Sequence, residues 1–265
     1  MAGEEWAQRI VQKELQRSVV IHDDGSRDGM YDLRIGPADA PALAVECIGA
    51  IDPTRTETWN VGPAKGPLEL ALRGNWTIII TDSAPIKAIN KRLEPLLQEL
   101  ENRGLTDVPV NRALNWPDPA VYEELDSLNI TRARCYSLPG TGIVSLMMQG
   151  TGGAAVDSQG NAVPGWVGQF LREPGQKDVL CKLQRSDAAE RHAFIFVALG
   201  GATWPVEYYF NFTEGLEQLP TEAPNLPQPV TGVWIVGMFG QKGLRWNGSA
   251  WSRFVARGEG IEDPP

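Results

Sequence analysis

Two acidic residues lie inside short segments of the sequence that are otherwise apolar. Asp32 lies in Tyr-Asp-Leu-Arg-Ile, and Glu46 lies in Leu-Ala-Val-Glu-Cys-Ile, each with the length of a β-strand. A buried carboxylate is costly unless a partner compensates its charge. Two carboxylates on neighbouring strands point to a shared partner, and a divalent cation with oxygen ligands is the natural one. The pattern therefore predicts a cation site formed by Asp32 and Glu46.

A purely structural role for both carboxylates is the alternative interpretation. Strict alternation along the strand places Asp32 and Arg34 together on the face opposite the apolar residues. Asp32 would then lie at the surface and pair with Arg34 or another charge, an interaction worth little. Glu46 shares its face with Ala44 and Ile48, which is a less suitable surrounding for a solvated carboxylate. The sequence leaves both interpretations open.

Hydrophobic periodicity places the two segments in a strand meander within an α/β protein. The short links between the first three strands predict antiparallel pairing, and the later alternation of strands and helices predicts parallel pairing. The predicted strands are 18–22, 30–35, 42–48, 76–80, 192–198 and 232–239, with hairpins over 130–149 and 245–251. The predicted helices are 4–16, 66–73, 85–103, 117–128, 163–172 and 176–185.

The composition is that of a globular protein and disfavours several classes of site. Three cysteines without CxxC spacing argue against a zinc site or a disulfide framework, and two histidines argue against a histidine-rich metal site. No apolar run is long enough to span a bilayer and no signal peptide is evident, so we expect a cytoplasmic protein without a membrane partner. The net charge of −9 disfavours broad coating of nucleic acid but leaves room for a local basic groove.

Residues 4–103 resemble the PD-(D/E)xK nuclease-like superfamily, which has the restriction-endonuclease-like fold. The likeness rests on the order helix, three strands, helix, strand and helix, on Asp32 at the start of the second strand, and on Glu46-Cys47-Ile48 in the third. The resemblance implies a mixed sheet flanked by helices. It also implies Mg²⁺ or Mn²⁺ held by Asp32 and Glu46, and hydrolysis of DNA phosphodiesters.

The resemblance also implies a division of the chain into a nuclease-like core over 1–105 and a mixed α/β elaboration over 106–256, packed on the same domain. A disordered tail is expected over 257–265. The proline-rich stretch 219–230 and the hairpin with Gly-Leu-Arg-Trp resemble the second half of actinobacterial proteins whose first half is nuclease-like. The oligomeric state is left open, with a homodimer among the alternatives.

The chain departs from the family pattern where the family has its lysine. Ile48 stands at that position and can neither donate a hydrogen bond nor carry charge. Lys65, near the start of the next helix, is the predicted catalytic substitute, and Glu5 on the first helix is a predicted auxiliary metal ligand. Alternatively, a polar group of the following loop organises the water; the candidates are Thr56, Glu57 and Asn60.

The missing lysine also leaves a different class of function open. A nuclease fold without catalysis would act as a module that binds nucleic acid or another protein. We therefore expect either a Mg²⁺-dependent endonuclease-like phosphodiesterase or an inactive relative with a binding role.

Overall fold

A computed structural model describes residues 2–26, 28–110, 119–150, 160–198, 200–211, 218–238 and 240–257. The chain forms two compact units, the first built from Met1–Ile51 with Thr151–Pro265 and the second from Asp52–Gly150. Both units combine helices with a mixed sheet, which confirms the predicted α/β class. In the part of the chain described, no helix is both long and apolar enough to cross a bilayer.

The helices are α1 (Ala2–Leu15), α2 (Pro53–Val61), α3 (Ile86–Asn102), α4 (Pro119–Ser127), α5 (Ala162–Phe170), α6 (Lys177–Arg185) and α7 (Trp204–Asn211), with short 3₁₀ helices at Pro63–Lys65 and Pro174–Gln176. The strands are β1 (Val20–Ile21), β2 (Leu33–Ile35), β3 (Leu43–Ala50), β4 (Leu68–Glu69), β5 (Asn75–Ile80), β6 (Asp107–Pro109), β7 (Ile130–Ser137), β8 (Ile143–Met148), β9 (Glu190–Val197), β10 (Gly232–Gly237), β11 (Lys242–Trp246) and β12 (Trp251–Val255).

The first unit contains a seven-stranded sheet in the order β1-β2-β3-β9-β10-β11-β12. The antiparallel meander β1-β2-β3 is confirmed, as are the parallel pairing of the later strands β9 and β10 and the hairpin of β11 and β12. Strand β9 also pairs in parallel with β3 of the meander. Every residue of β10 is buried, as expected for a strand covered on both faces.

Helices cover both faces of this sheet. On one face α1 contributes Trp6 and Ile10 to a core with Val45 and Trp234. On the other face α5, α6 and α7 pack on alternate strand residues such as Ala44. Because successive residues of a strand point to opposite faces, Val45 and Glu46 belong to different layers.

The second unit contains a five-stranded sheet in the order β4-β8-β5-β7-β6, with α3 packed on one face. The predicted hairpin over 130–149 is wrong, because β7 pairs with one edge of β5 and β8 with the other. Trp76, Ile78 and Ile80 of β5 are fully buried. A strand at the centre of a sheet hydrogen-bonds to a partner strand at each of its edges. For β5 these two partners are β7 and β8.

The contacts of β3 differ from those of the predicted core over 1–105. The parallel neighbour of β3 is β9. Strand β5 belongs to the second sheet, and α3 packs on that sheet. The segment 52–150 gathers a hydrophobic core of its own, so it folds on itself instead of extending the meander. The predicted helix 66–73 is also wrong, since β4 pairs with β8 there. The predicted tail falls outside the described residues from 258 onward.

Glu101 of α3 stabilises the start of β5, and its replacement by glutamine tests this. Its side chain is 4% exposed and accepts hydrogen bonds from the Gly74 backbone N–H, from Trp76 Nε1 and from Arg73. Burial raises the pKa of Glu101, but these hydrogen bonds outweigh it and hold the pKa below the usual value. We expect Glu101→Gln to lower the free energy of unfolding at pH 7 by about 1–3 kcal/mol in urea titrations.

The pH dependence of this loss has a defined sign. A carboxylate with a lowered folded pKa contributes stability above its unfolded pKa of about 4.3, and the contribution disappears as the pH falls through the folded pKa. The difference between wild type and Glu101→Gln should therefore shrink at pH 3. Glu99→Gln, at an acid of the same helix that is 47% exposed, is the matched control. An equal loss at pH 7 and pH 3 would contradict this account.

Candidate functional site

Asp32 is the residue immediately before β2, the strand of the meander that pairs with β3. Leu33 pairs with Val45, so Asp32 comes beside Glu46 in the antiparallel register. Its carboxylate is not at the surface, since the residue is 6% exposed, and Oδ2 accepts a hydrogen bond of 2.6 Å from the backbone N–H of Cys47. The interpretation of Asp32 as a surface carboxylate is therefore wrong.

Glu46 lies in the middle of β3 and is 4% exposed. Its Oε1 forms an ion pair of 2.8 Å with the Nζ of Lys182, which α6 contributes from above the sheet. Its Oε2 is buried and has no hydrogen-bond partner among the residues that the structure describes. One oxygen of the buried carboxylate is therefore left without compensation.

The electrostatics of this pair of carboxylates favour an added positive charge. Burial, followed by the charge of Asp32, raises the pKa of Glu46 to about 8 even though Lys182 opposes the shift. Burial also raises the pKa of Asp32, against the hydrogen bond from Cys47. Since two like charges in one buried place disfavour ionisation, the pair favours the uptake of a proton.

Lys182 is held between two acids. Burial lowers its pKa, but the hydrogen bond to Glu46 and the charges of Asp32 and Asp178 outweigh the effect and raise the pKa above its usual value. Its Nζ lies 3.7 Å from Oδ2 of Asp178, one turn earlier on α6. Lys182 is therefore a cation at this site and not a neutral amine.

The remaining predicted site residues lie at exposed positions. Glu5 of α1 is exposed, and it is the preceding residue, Glu4, whose charge raises the pKa of Asp32. Lys65 is the last residue of the 3₁₀ helix Pro63–Lys65 in the second unit. The exposed loop candidates lie on α2 and are Thr56, Glu57 and Asn60. The catalytic role of Lys65 and the ligand role of Glu5 stay predictions.

Ile48 follows Glu46 on the same face of β3 and packs against the core beneath α5 and α6. The sequence predicted the helix that carries Lys182 but did not single out this residue. The available signal was the spacing of Asp178 and Lys182, four apart and therefore on one helix face. Such pairs are common on solvated helices, so the spacing alone does not identify a site.

The donor set of the pair consists of carboxylate oxygens. In the described ranges no cluster of three or more histidine, cysteine, aspartate or glutamate residues is arranged to hold a metal. Mg²⁺, however, is usually bound by one or two carboxylates together with waters and substrate phosphates. The unpartnered Oε2 of Glu46 is an oxygen ligand of this kind, and the strand register places Asp32 beside Glu46.

Comparisons of the chain with models of known protein families, with curated proteins and with solved structures found no match. The geometry of Asp32, Glu46 and Lys182 therefore carries the functional argument by itself.

Proposed function

We propose that the protein is a Mg²⁺- or Mn²⁺-dependent phosphodiesterase that acts on DNA. Asp32 and Glu46 are its cation ligands, and Lys182 is its lysine. The observation that carries the proposal is the buried carboxylate of Glu46, with one oxygen on the Lys182 ammonium and the other unpartnered. A carboxylate pair with a lysine is the side-chain set that the resemblance to the PD-(D/E)xK superfamily implies, and a metal held by the carboxylates would act as the Lewis acid.

The order of elements in the first unit supports the proposal. Helix α1, the meander β1-β2-β3, helices α5 and α6, and strand β9 follow one another once the inserted second unit is set aside. With α7 after β9, this matches the order helix, three strands, helix, strand and helix that the resemblance implies, except that the two helices α5 and α6 stand in the place of one. The lysine then comes from α6, so Ile48 in the third strand need not carry its role.

Each of the three side chains has a separate task. Asp32 is fixed by the Cys47 N–H, and Glu46 is fixed by the position of β3 inside the sheet, between β2 and β9. A bound divalent cation supplies a Lewis acid for the phosphoryl oxygen and lowers the pKa of an attacking water. Lys182 donates hydrogen bonds to the phosphoryl oxygens and stabilises the charge that develops on them.

Calorimetric titration of MnCl₂ into wild type, Asp32→Asn and Glu46→Gln tests the cation site. We expect wild type to bind one ion and each variant to lose affinity by about tenfold or more, because each removes one charged ligand. Both substitutions keep the size of the side chain. Glu14→Gln, at an exposed acid of α1, is the control.

This titration, together with an assay of plasmid nicking, distinguishes the phosphodiesterase from the inactive binding module. Binding by wild type together with Mn²⁺-dependent nicking of plasmid DNA supports the phosphodiesterase. Binding without nicking favours the inactive module, and equal heats for wild type and both variants reject the site. Glu5→Gln tests the predicted auxiliary ligand, and an affinity loss there would give Glu5 a role despite its exposure.

A further inference from the structure

The carboxylate of Glu46 already has a positive charge beside it. Lys182 Nζ lies 2.8 Å from Oε1, and the side chains of Lys182 and Glu46 are 18% and 5% exposed. Water therefore screens this ion pair only weakly. A divalent cation that uses Glu46 as a ligand meets the ammonium at the same carboxylate.

A divalent cation and the Lys182 ammonium together carry three positive charges. The two buried carboxylates can neutralise only two of them. When both are ionised, Asp32 and Glu46 together offer two negative charges, which a divalent cation balances completely. The ammonium of Lys182 then loses most of its attraction to the balanced carboxylates, and the repulsion between the ammonium and the nearby ion remains. Since the pair is poorly screened, this repulsion is stronger than it would be in bulk water.

Asp178 offers the displaced ammonium a second partner. It lies four residues before Lys182 on α6, its Oδ2 is 3.7 Å from Nζ, and its side chain is 72% exposed. The flexible stem of a lysine lets Nζ move from one acid to the other while the helix stays in place. The movement carries Nζ from the buried side of the site toward the exposed side.

We infer that Lys182 is a resident competitor of the divalent cation for Glu46, and that cation binding shifts its ammonium toward Asp178. The inference deepens the proposed function and rests on its cation site. Metal binding and release of the lysine are one event, so Lys182 becomes available to a substrate phosphate only when the cation is present. Asp178 is then a positioning residue that receives the lysine.

Calorimetry with MnCl₂ on wild type, Lys182→Met and Asp178→Asn tests this competition. Removal of the competing ammonium should tighten Mn²⁺ binding by about tenfold or more. Asp178→Asn removes the second partner of the lysine and should weaken binding by about two- to fivefold. Lys177→Met, at an exposed lysine of the same helix, should bind like wild type.

Nuclear magnetic resonance provides a readout that does not depend on a variant. The Cε–H signal of Lys182, assigned by its loss in Lys182→Met or in Lys182→Gln, should shift when wild type is titrated with MgCl₂. The signal of Lys177 should stay in place. An unmoved Lys182 signal in protein that binds Mg²⁺ overturns the inference.

The two proposals fail in different ways. If wild type and Lys182→Met bind Mn²⁺ equally, the competition is wrong and the cation site stands. If only Lys182→Met binds, the ammonium blocks the site outright, so the competition stands and the metal-dependent activity of wild type is rejected. If neither binds, both proposals are rejected.

Discussion

Lys182→Met is expected to lower the rate of the proposed Mg²⁺-dependent DNA cleavage by about 10²- to 10³-fold at saturating metal. Removal of one donor to a developing oxyanion costs about that much in other hydrolases. Methionine keeps the length of the side chain but cannot donate a hydrogen bond. Single-turnover nicking of plasmid DNA at a series of MgCl₂ concentrations gives the rate and the metal dependence together.

The same variant should bind the cation more tightly while it cleaves more slowly. That divergence distinguishes Lys182 from a residue that only stabilises the fold, because loss of structure would weaken both properties. Lys65→Met belongs beside it, since Lys65 is the lysine that the sequence predicts for this role. If Lys65→Met abolished cleavage and Lys182→Met left it intact, the catalytic lysine would be Lys65.

The two carboxylates could be predicted from sequence because a strand has a simple period. A single acidic residue inside an apolar run is visible in any strand, and short links make neighbouring strands adjacent. Asp32 and Glu46 accordingly lie side by side in the structure. The prediction that the two residues are adjacent needed only the local sequence pattern, because the strands of the meander follow one another along the chain.

Lys182 could not be predicted in the same way because its position depends on a long-range pairing. The parallel neighbour of β3 is β9, and the chain between them includes the whole second unit. Helix α6, which precedes β9, packs against β3 and thereby brings Lys182 onto Glu46. The apolar run of β5 is an equally good neighbour by composition, so sequence order favoured the wrong strand.

Pairing choices also explain the errors in the second unit. Residues 130–137 and 143–148 form strands, as predicted, and a turn of proline and glycine separates them. Turn chemistry favours a hairpin, but β5 is a central strand that pairs with β7 at one edge and β8 at the other, while its apolar face is buried by α3. Burial of Trp76, Ile78 and Ile80 outweighed the local preference.

Trp234→Ala is expected to lower the free energy of unfolding by about 3–5 kcal/mol, a large part of the 5–15 kcal/mol typical of a folded protein. Trp234 is fully buried in β10, stacks on Phe194 at 6.2 Å and meets Phe254 edge-on at 5.4 Å. Its Nε1 donates a hydrogen bond to Nδ1 of the buried His192. Alanine leaves a cavity and removes the donor, and urea titration at pH 7 measures the loss.

Trp234→Phe separates these two contributions. Phenylalanine keeps an aromatic ring in the core and removes the indole donor, so the loss should be about 1–3 kcal/mol. Trp59→Ala, at a tryptophan that is 42% exposed, should cost much less. The comparison of the tryptophan variants bears on the site because β10 pairs with β9. In turn, Ala193 of β9 pairs with Glu46 of β3. Equal losses for Trp234→Ala and Trp59→Ala would mean that this aromatic core does not hold the sheet on which the carboxylates depend.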